Sequence, residues 1–227
     1  MRKEKQKLAI NIDNFDVKKN ENGSRHSELL PNTIRAIICG PSNSGKTNVM
    51  LSLLTDPNGL RFKNVYVYSK SLYQDKYKFL QDVLNKVPAV SFYGFSDSET
   101  IVAPEKAEAN SIFIFDDVAC EKQDMIRNYF CMGRHNKIDC FYLNQTYSKI
   151  PKQLVRDNAN VLILFKQDDM NLKHIYEDHV NTDMTFNIFK NICTDCWTDK
   201  YGFLVIVKDN EIHKGRYRNK FDTFLLI

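Results

Sequence analysis

Residues 34–50 read IRAIICGPSNSGKTNVM: an apolar run, a loop of small residues closed by Gly-Lys-Thr, and a segment with apolar residues at helical spacing. Gly40, Gly45, Lys46 and Thr47 meet the pattern G-x-x-x-x-G-K-[ST] of a phosphate-binding loop. Glycine lets the backbone turn tightly with positive φ, so that successive N–H groups converge on phosphate oxygens. A helix opening at Lys46 adds its dipole to the same point. Lys46 is placed to reach the β- and γ-phosphates, and the Thr47 hydroxyl to ligate a bridging Mg²⁺. The stretch Gly40, Pro41, Ser42, Asn43, Ser44, Gly45, Lys46, Thr47 and Asn48 is therefore read as the nucleotide cradle.

Working outward, apolar runs alternate with helical patterns. Ala36–Cys39 reads as a buried strand and Asn48–Leu54 as the helix after the loop, ended by the turn Asp56-Pro57-Asn58-Gly59. Asn64–Tyr68 is the next strand. Tyr73, Tyr77, Leu80, Leu84 and Val87 form an amphipathic helix stopping before Pro88. A short strand, Ala89–Tyr93, precedes a polar connection, and the two tyrosines are read as packing residues. Ser111–Phe115 (SIFIF), Ile138–Leu143 (IDCFYL) and Val161–Phe165 (VLILF) are near-continuous apolar runs, as expected of parallel strands covered on both faces. Helices are expected at Glu121–Met132, at Pro151–Asn158 and once or twice beyond Asp168. Tyr201–Val207 with Ile212–Tyr217 reads as a hairpin at the sheet edge. The spacing implies a three-layer α/β fold with a mostly parallel sheet.

The chain has 227 residues, enough for one domain: a P-loop domain over 33–227, after a polar, flexible arm over 1–32 whose early Arg2, Lys3, Lys5 and Lys7 are solvated or touch nucleic acid. A net charge of +4 permits a polyanionic partner without requiring one. The six cysteines follow no framework spacing and read as reduced thiols, which implies an intracellular setting. No apolar run reaches about 18 residues, so no membrane span is expected.

Ligands of an open parallel sheet bind beyond the carboxyl ends of its strands, which directs attention to the residue after each buried run. Asp116 is placed to hold Mg²⁺ and Asp117 to orient or deprotonate an attacking water, or else to cap the coming helix. Gln145, preferred over Asn144 because it stands nearer the loop, is placed to sense a γ-phosphate or simply to cap that loop. Arg134 and Arg156 flank that strand and its exit. Each is a candidate for a cation supplied to a neighbouring subunit's site, or a surface arginine paired with a carboxylate. Cys193 and Cys196 have metal-knuckle spacing without a second pair, and His135, His174 and His179 lack a nucleophile partner. The basic His213–Arg218 segment suits either a phosphate backbone or the protection of an exposed edge strand.

Taken in order, SELLPNTIRAIICGPSNSGKTN, IFIFDDV and GRHNKIDCFYLNQTYSKIPKQLVRDNANVLILFK resemble the poxvirus-type virion DNA-packaging ATPases of the FtsK/HerA branch of P-loop ATPases, over roughly Ser27–Lys166, with a weaker echo in YGFLVIV. The resemblance implies an additional-strand P-loop core of the RecA/FtsK kind, in which the strand leading to Gln145 lies between the Walker A and Walker B strands. It implies ATP and Mg²⁺ as the bound species, with Lys46 and Thr47 on nucleotide and metal, Asp116 and Asp117 as Walker B, Gln145 as sensor, and Arg134 or Arg156 acting in trans. It further implies a homo-oligomeric ring, a hexamer, that drives viral double-stranded DNA into a capsid, with capsid proteins as partners, in the infected host cell (virus factory or nucleus) or in the virion. Where much of that superfamily has Asp-Glu, this chain has Asp116-Asp117, with a shorter second carboxylate. Two rival readings of the P-loop are a nucleotide or nucleoside kinase and a non-hydrolysing structural subunit.

Overall fold

A computed structural model describes residues 24–227. Its centre is a nine-stranded sheet in the order β3-β2-β4-β5-β1-β6-β7-β8-β9. The parallel part comprises β1 (Arg35–Cys39), β2 (Asn64–Ser69), β3 (Ser91–Phe95), β4 (Ser111–Asp116), β5 (Ile138–Asn144) and β6 (Val161–Leu164). The strand before Gln145, β5, lies between β1 and β4, the additional-strand order that the resemblance implied.

Alternation along each strand sends successive side chains to opposite faces. On one face Ile37, Cys39, Phe113, Phe115, Tyr142 and Leu164 join a core with α3 (Asp124–Met132), α4 (Asp169–His179) and α5 (Phe186–Cys196). Across the sheet Ile38, Val65, Val67, Ile114, Leu143 and Ile163 form a second core with α1 (Lys46–Thr55) and α2 (Asp75–Leu84). Both faces are dry, which is why these strands carry near-continuous apolar runs, the buried Asp139 of β5 being an exception. Cys193 and Cys196 are buried among the α3/α4/α5 core residues, where burial pushes both thiols up, Cys196 to about 11. All six cysteines are free.

Three expectations change. The edge hairpin pairs β7 (Leu204–Val207) with β8 (Tyr217–Asn219), not with Ile212–Tyr217, and β9 (Thr223–Phe224) adds a further edge strand. Ile212–Lys214 is a short 3-10 turn inside a longer loop, closed by Asn210 donating to the Lys214 carbonyl (3.2 Å) and by Gly215 at φ 80°. Pro151–Asn158 is not a regular helix. Lys152–Arg156 is a wide turn with Leu154 at φ 69°, its backbone bonded from Arg156 N to the Pro151 carbonyl (3.1 Å).

Thirdly, the arm expected over 1–32 lies outside the described residues only as far as Gly23. Ser24–Asn32 packs on the domain. His26 and Leu30 are buried, and Arg218 donates to the Leu29 carbonyl (2.7 Å). That bond, with another to the Gly215 carbonyl (2.7 Å), buries Arg218 over the Phe224 ring, and Arg216 pairs with Asp183 (2.8 Å). These two arginines hold the edge together and are not available to a phosphate backbone.

Candidate active site

Between β1 and α1 the loop closes over the end of the sheet. Gly40 N–H donates to the Asn144 carbonyl (3.1 Å), tying the loop to β5. A Cβ on Gly40 would stand 2.5 Å from Phe165 Cβ, so only glycine fits there. Gly45 has φ 109° and Asn43 φ 59°, left-handed backbone that turns amides toward one point. Ser44 Oγ is buried with no hydrogen-bond partner among the described residues. The Lys46 ammonium folds over the loop onto the carbonyls of Gly40 (2.7 Å) and Pro41 (2.8 Å). Burial lowers its pKa, against the opposing charges of Asp116, Cys39 and Asp117.

A cavity of about 190 Å³ opens in front of the loop, lined by Ser42–Thr47 and by Asp116, Asp117, Leu143, Asn144 and Gln145. Asp116, Asp117 and Gln145, read from the sequence, thus meet Lys46 and Thr47 as the strand ends required. Gly40, Pro41 and Asn48 lie outside this lining. Burial raises the Asp116 carboxyl above the usual range, opposed by a hydrogen bond from Tyr77 and by the Lys46 charge. Asp117 follows with φ 57°, its N–H on the Leu143 carbonyl (3.3 Å), and Gln145 Nε2 reaches its Oδ1 at 3.5 Å. Asp117 caps no helix, since α3 starts at Asp124 after Gln123. Asn144 is buried and donates to the Thr146 carbonyl (3.0 Å), which leaves Gln145 as the exposed amide.

A larger cavity, about 530 Å³, lies behind α1 among Leu29, Leu30, Leu53, Phe203, Phe221 and Phe224. It offers no cation or amide cradle, so the smaller polar cavity is the one suited to phosphate. Hard oxygen donors, the Thr47 hydroxyl and the Asp116 carboxylate, face that same cavity and suit Mg²⁺.

The arginines stand elsewhere. Arg134 is exposed in the turn Gly133–Asn136, before the start of β5, whereas the cavity lies at the strand's other end. Arg156 is held by Asp178 (2.7 Å) and lies over the Tyr147 ring at 5.0 Å. Tyr147 Oη in turn meets His179 Nε2 (2.7 Å) and Asp178 Oδ2 (3.0 Å), while Lys208 Nζ approaches His179 Nδ1 (3.3 Å). With Lys208 donating to Nδ1, the imidazole is neutral and carries its proton on Nε2. Burial and Lys208 lower the His179 pKa to about 3.

Ser71, Gln74 and Lys76 also line the cavity, and Tyr77 hydrogen-bonds Asp116. The sequence reading missed them. It assigned Tyr73 and Tyr77 to packing, although the strand-end rule that selected Asp116 applies equally to the residues after β2.

A family profile described as Poxvirus A32 protein matches residues 21–223. Among solved structures, the genome packaging NTPase B204 of Sulfolobus turreted icosahedral virus 2 in complex with sulfate is 16% identical, covers 78% of this chain and 92% of its own, and superposes with a TM-score of 0.53. Its complex with ATP-gammaS gives 14% identity, 78% and 93% coverage and a TM-score of 0.52. B204, the DNA-packaging ATPase from Sulfolobus turreted icosahedral virus, gives 15%, 77% and 92%, and 0.53. At these identities the likeness is one of fold. No curated protein matches the sequence.

Proposed function

The chain belongs to the poxvirus A32 protein family, and we propose that it is an ATPase that packages viral double-stranded DNA into capsids, acting as a ring of identical subunits in the infected cell. The observation that carries this reading is the meeting of three strand ends on one cavity: the loop after β1, Asp116-Asp117 after β4, and Gln145 after β5. A kinase would need a cationic lid over the phosphates. Here the chain between β4 and β5 folds as α3 with its buried face in the core, and its Arg127 pairs with Asp124 of its own helix.

In this reading the loop amides and the Lys46 ammonium hold the β- and γ-phosphates. Thr47 and Asp116 hold Mg²⁺, which when bound neutralises phosphate charge. Asp117 orients the attacking water and accepts its proton, and Gln145, beside it, links the state of the γ-phosphate to the loop that follows β5. No lysine or arginine of the described cavity lining except Lys46 and Lys76 supplies positive charge. The neighbouring subunit adds an arginine, and Arg134, whose side chain is exposed, is better suited than the engaged Arg156. No helix described is long and apolar enough to cross a membrane.

Phosphate release from ATP by the purified protein, with and without double-stranded DNA, tests the reading beside Lys46→Ala and Asp117→Asn. The expected result is turnover stimulated by DNA and reduced about a hundredfold or more in both variants. Phosphoryl transfer to an added nucleoside would establish the kinase instead. Tight ATP binding without turnover in any assembly state would establish a structural subunit.

A further inference from the structure

Asp116 receives a single side-chain hydrogen bond among the described residues, and it comes from outside the P-loop and both neighbouring strands. Tyr77, in the first turn of α2, donates its hydroxyl to Asp116 Oδ2. The ring is 3% exposed and belongs to the core shared by α1, α2 and the sheet. Phenylalanine would pack there as well, so burial of the ring does not explain the hydroxyl.

The approach is built by a short crossover. β2 pairs with β4 so that Ser69 stands opposite Asp116, and the chain then turns back within a few residues. Ser71 N–H bonds Ser69 Oγ (3.1 Å), Gln74 N–H the Ser71 carbonyl (3.0 Å), and Tyr77 N–H the Gln74 carbonyl (3.0 Å). Each bond shortens the path from the end of β2 to the phenol. Ser71, Gln74 and Lys76 of this turn face the nucleotide cavity, so the segment is a wall of the site as well as a connection. A hydroxyl bonded to an ionised carboxylate fixes its orientation, and metal-binding carboxylates depend on such outer partners. With Oδ2 engaged, Oδ1 has no side-chain donor among the described residues.

We propose that Tyr77 is a positioning residue of the magnesium site, its hydroxyl holding one oxygen of Asp116 so that the other is presented to the metal. This rests on the function proposed above. It ties α2 to the metal site through one hydroxyl, a link that no residue of the P-loop pattern discloses.

The test is the Mg²⁺ dependence of binding of a fluorescent ATP analogue by the full chain, with thermal melting followed alongside. Tyr77→Phe keeps the ring and removes the donor. It should raise the Mg²⁺ concentration for half-maximal tightening about tenfold and leave magnesium-free affinity unchanged. In Tyr77→Phe/Asp116→Asn the first substitution should add nothing to the second. Leu80→Ala, which loosens the same helix from the core, should leave the magnesium requirement at the wild-type value. An unchanged requirement in Tyr77→Phe, full additivity in the double variant, or an equal rise in Leu80→Ala would each overturn the proposal. Were the wild-type chain to bind nucleotide with no response to Mg²⁺, the ATPase reading would fall first and this inference with it; a response in the wild type that Tyr77→Phe leaves intact removes the inference alone.

Discussion

Asp139 and Asp116 stand near opposite ends of the parallel sheet, on neighbouring strands, and the chain surrounds them in opposite ways. Asp139, fully buried on β5, accepts from Arg25 at 3.3 Å and 3.1 Å, from the Ile34 N–H at 2.8 Å, and meets His26 Nε2 at 2.9 Å. Both of its oxygens are satisfied by protein. Asp116, on β4, has one side-chain partner and otherwise faces a cavity. A buried carboxylate costs free energy unless it is bonded. The saturated one ties Arg25 and His26 to the sheet, and the open one keeps its capacity for a ligand. Residue type is shared, but Asp139 is fully buried while Asp116 is only partly buried at the cavity edge. It is the unfilled acceptor capacity turned to that cavity that separates a site from a staple.

The contrast breaks if removing the saturated carboxylate is harmless. Asp139→Ala leaves Arg25 and His26 facing an emptied acceptor and should destabilise the fold by about 3–5 kcal/mol in urea melts, with ATP turnover per folded molecule retained. Arg156→Ala should cost about 2 kcal/mol by removing the charge-assisted bond to Asp178, which keeps only the Tyr147 hydroxyl (3.0 Å) and the more exposed Lys152 (3.3 Å), a loss read in the same melts. A normal melt with lost turnover would instead make Arg156 a residue of a neighbour's site. His179 sharpens the comparison through pH. Its folded pKa, about 3, lies below the ordinary 6.5, so the unfolded chain takes up the proton first. The stability it contributes is full above pH 6.5 and declines as pH falls toward 3, by about 1.4 kcal/mol per pH unit. His179→Gln should flatten that decline between pH about 7 and about 5 in urea titrations. Arg134→Ala, at an exposed turn, should change stability by less than about 0.5 kcal/mol. It should lower turnover only where subunits are assembled, seen by comparing dilute with concentrated protein.

Much of this is legible in the amino-acid sequence. The P-loop is a local motif, and SIFIF, IDCFYL and VLILF announce strands covered on both faces because no polar residue could be solvated there. The residue after such a run lies at the ligand-binding edge, which located Asp116, Asp117 and Gln145. What escaped depends on long-range partners. Asp139 sits inside an apolar run, and its meaning comes from His26, more than a hundred residues earlier in the chain. Tyr77 satisfies a helical apolar pattern, and only the fold puts its hydroxyl on Asp116. Arg156 pairs with a carboxylate, one of its two readings, but its partner Asp178 was not legible. Arg218, read as part of a basic edge segment, is instead buried on the Leu29 carbonyl. The hairpin missed its partner strand because Gly215 and the Asn210 bonds enlarge the loop, a choice that alternation alone does not disclose.

The contrast between the two carboxylates is tested most directly by Asp116→Asn, with ATP turnover in the presence of double-stranded DNA and urea unfolding measured on the same preparation. The account requires turnover to fall about a hundredfold or more, while the unfolding midpoint stays near that of the wild type. Retained turnover with a collapsed midpoint would make Asp116 a second staple and move the active site elsewhere.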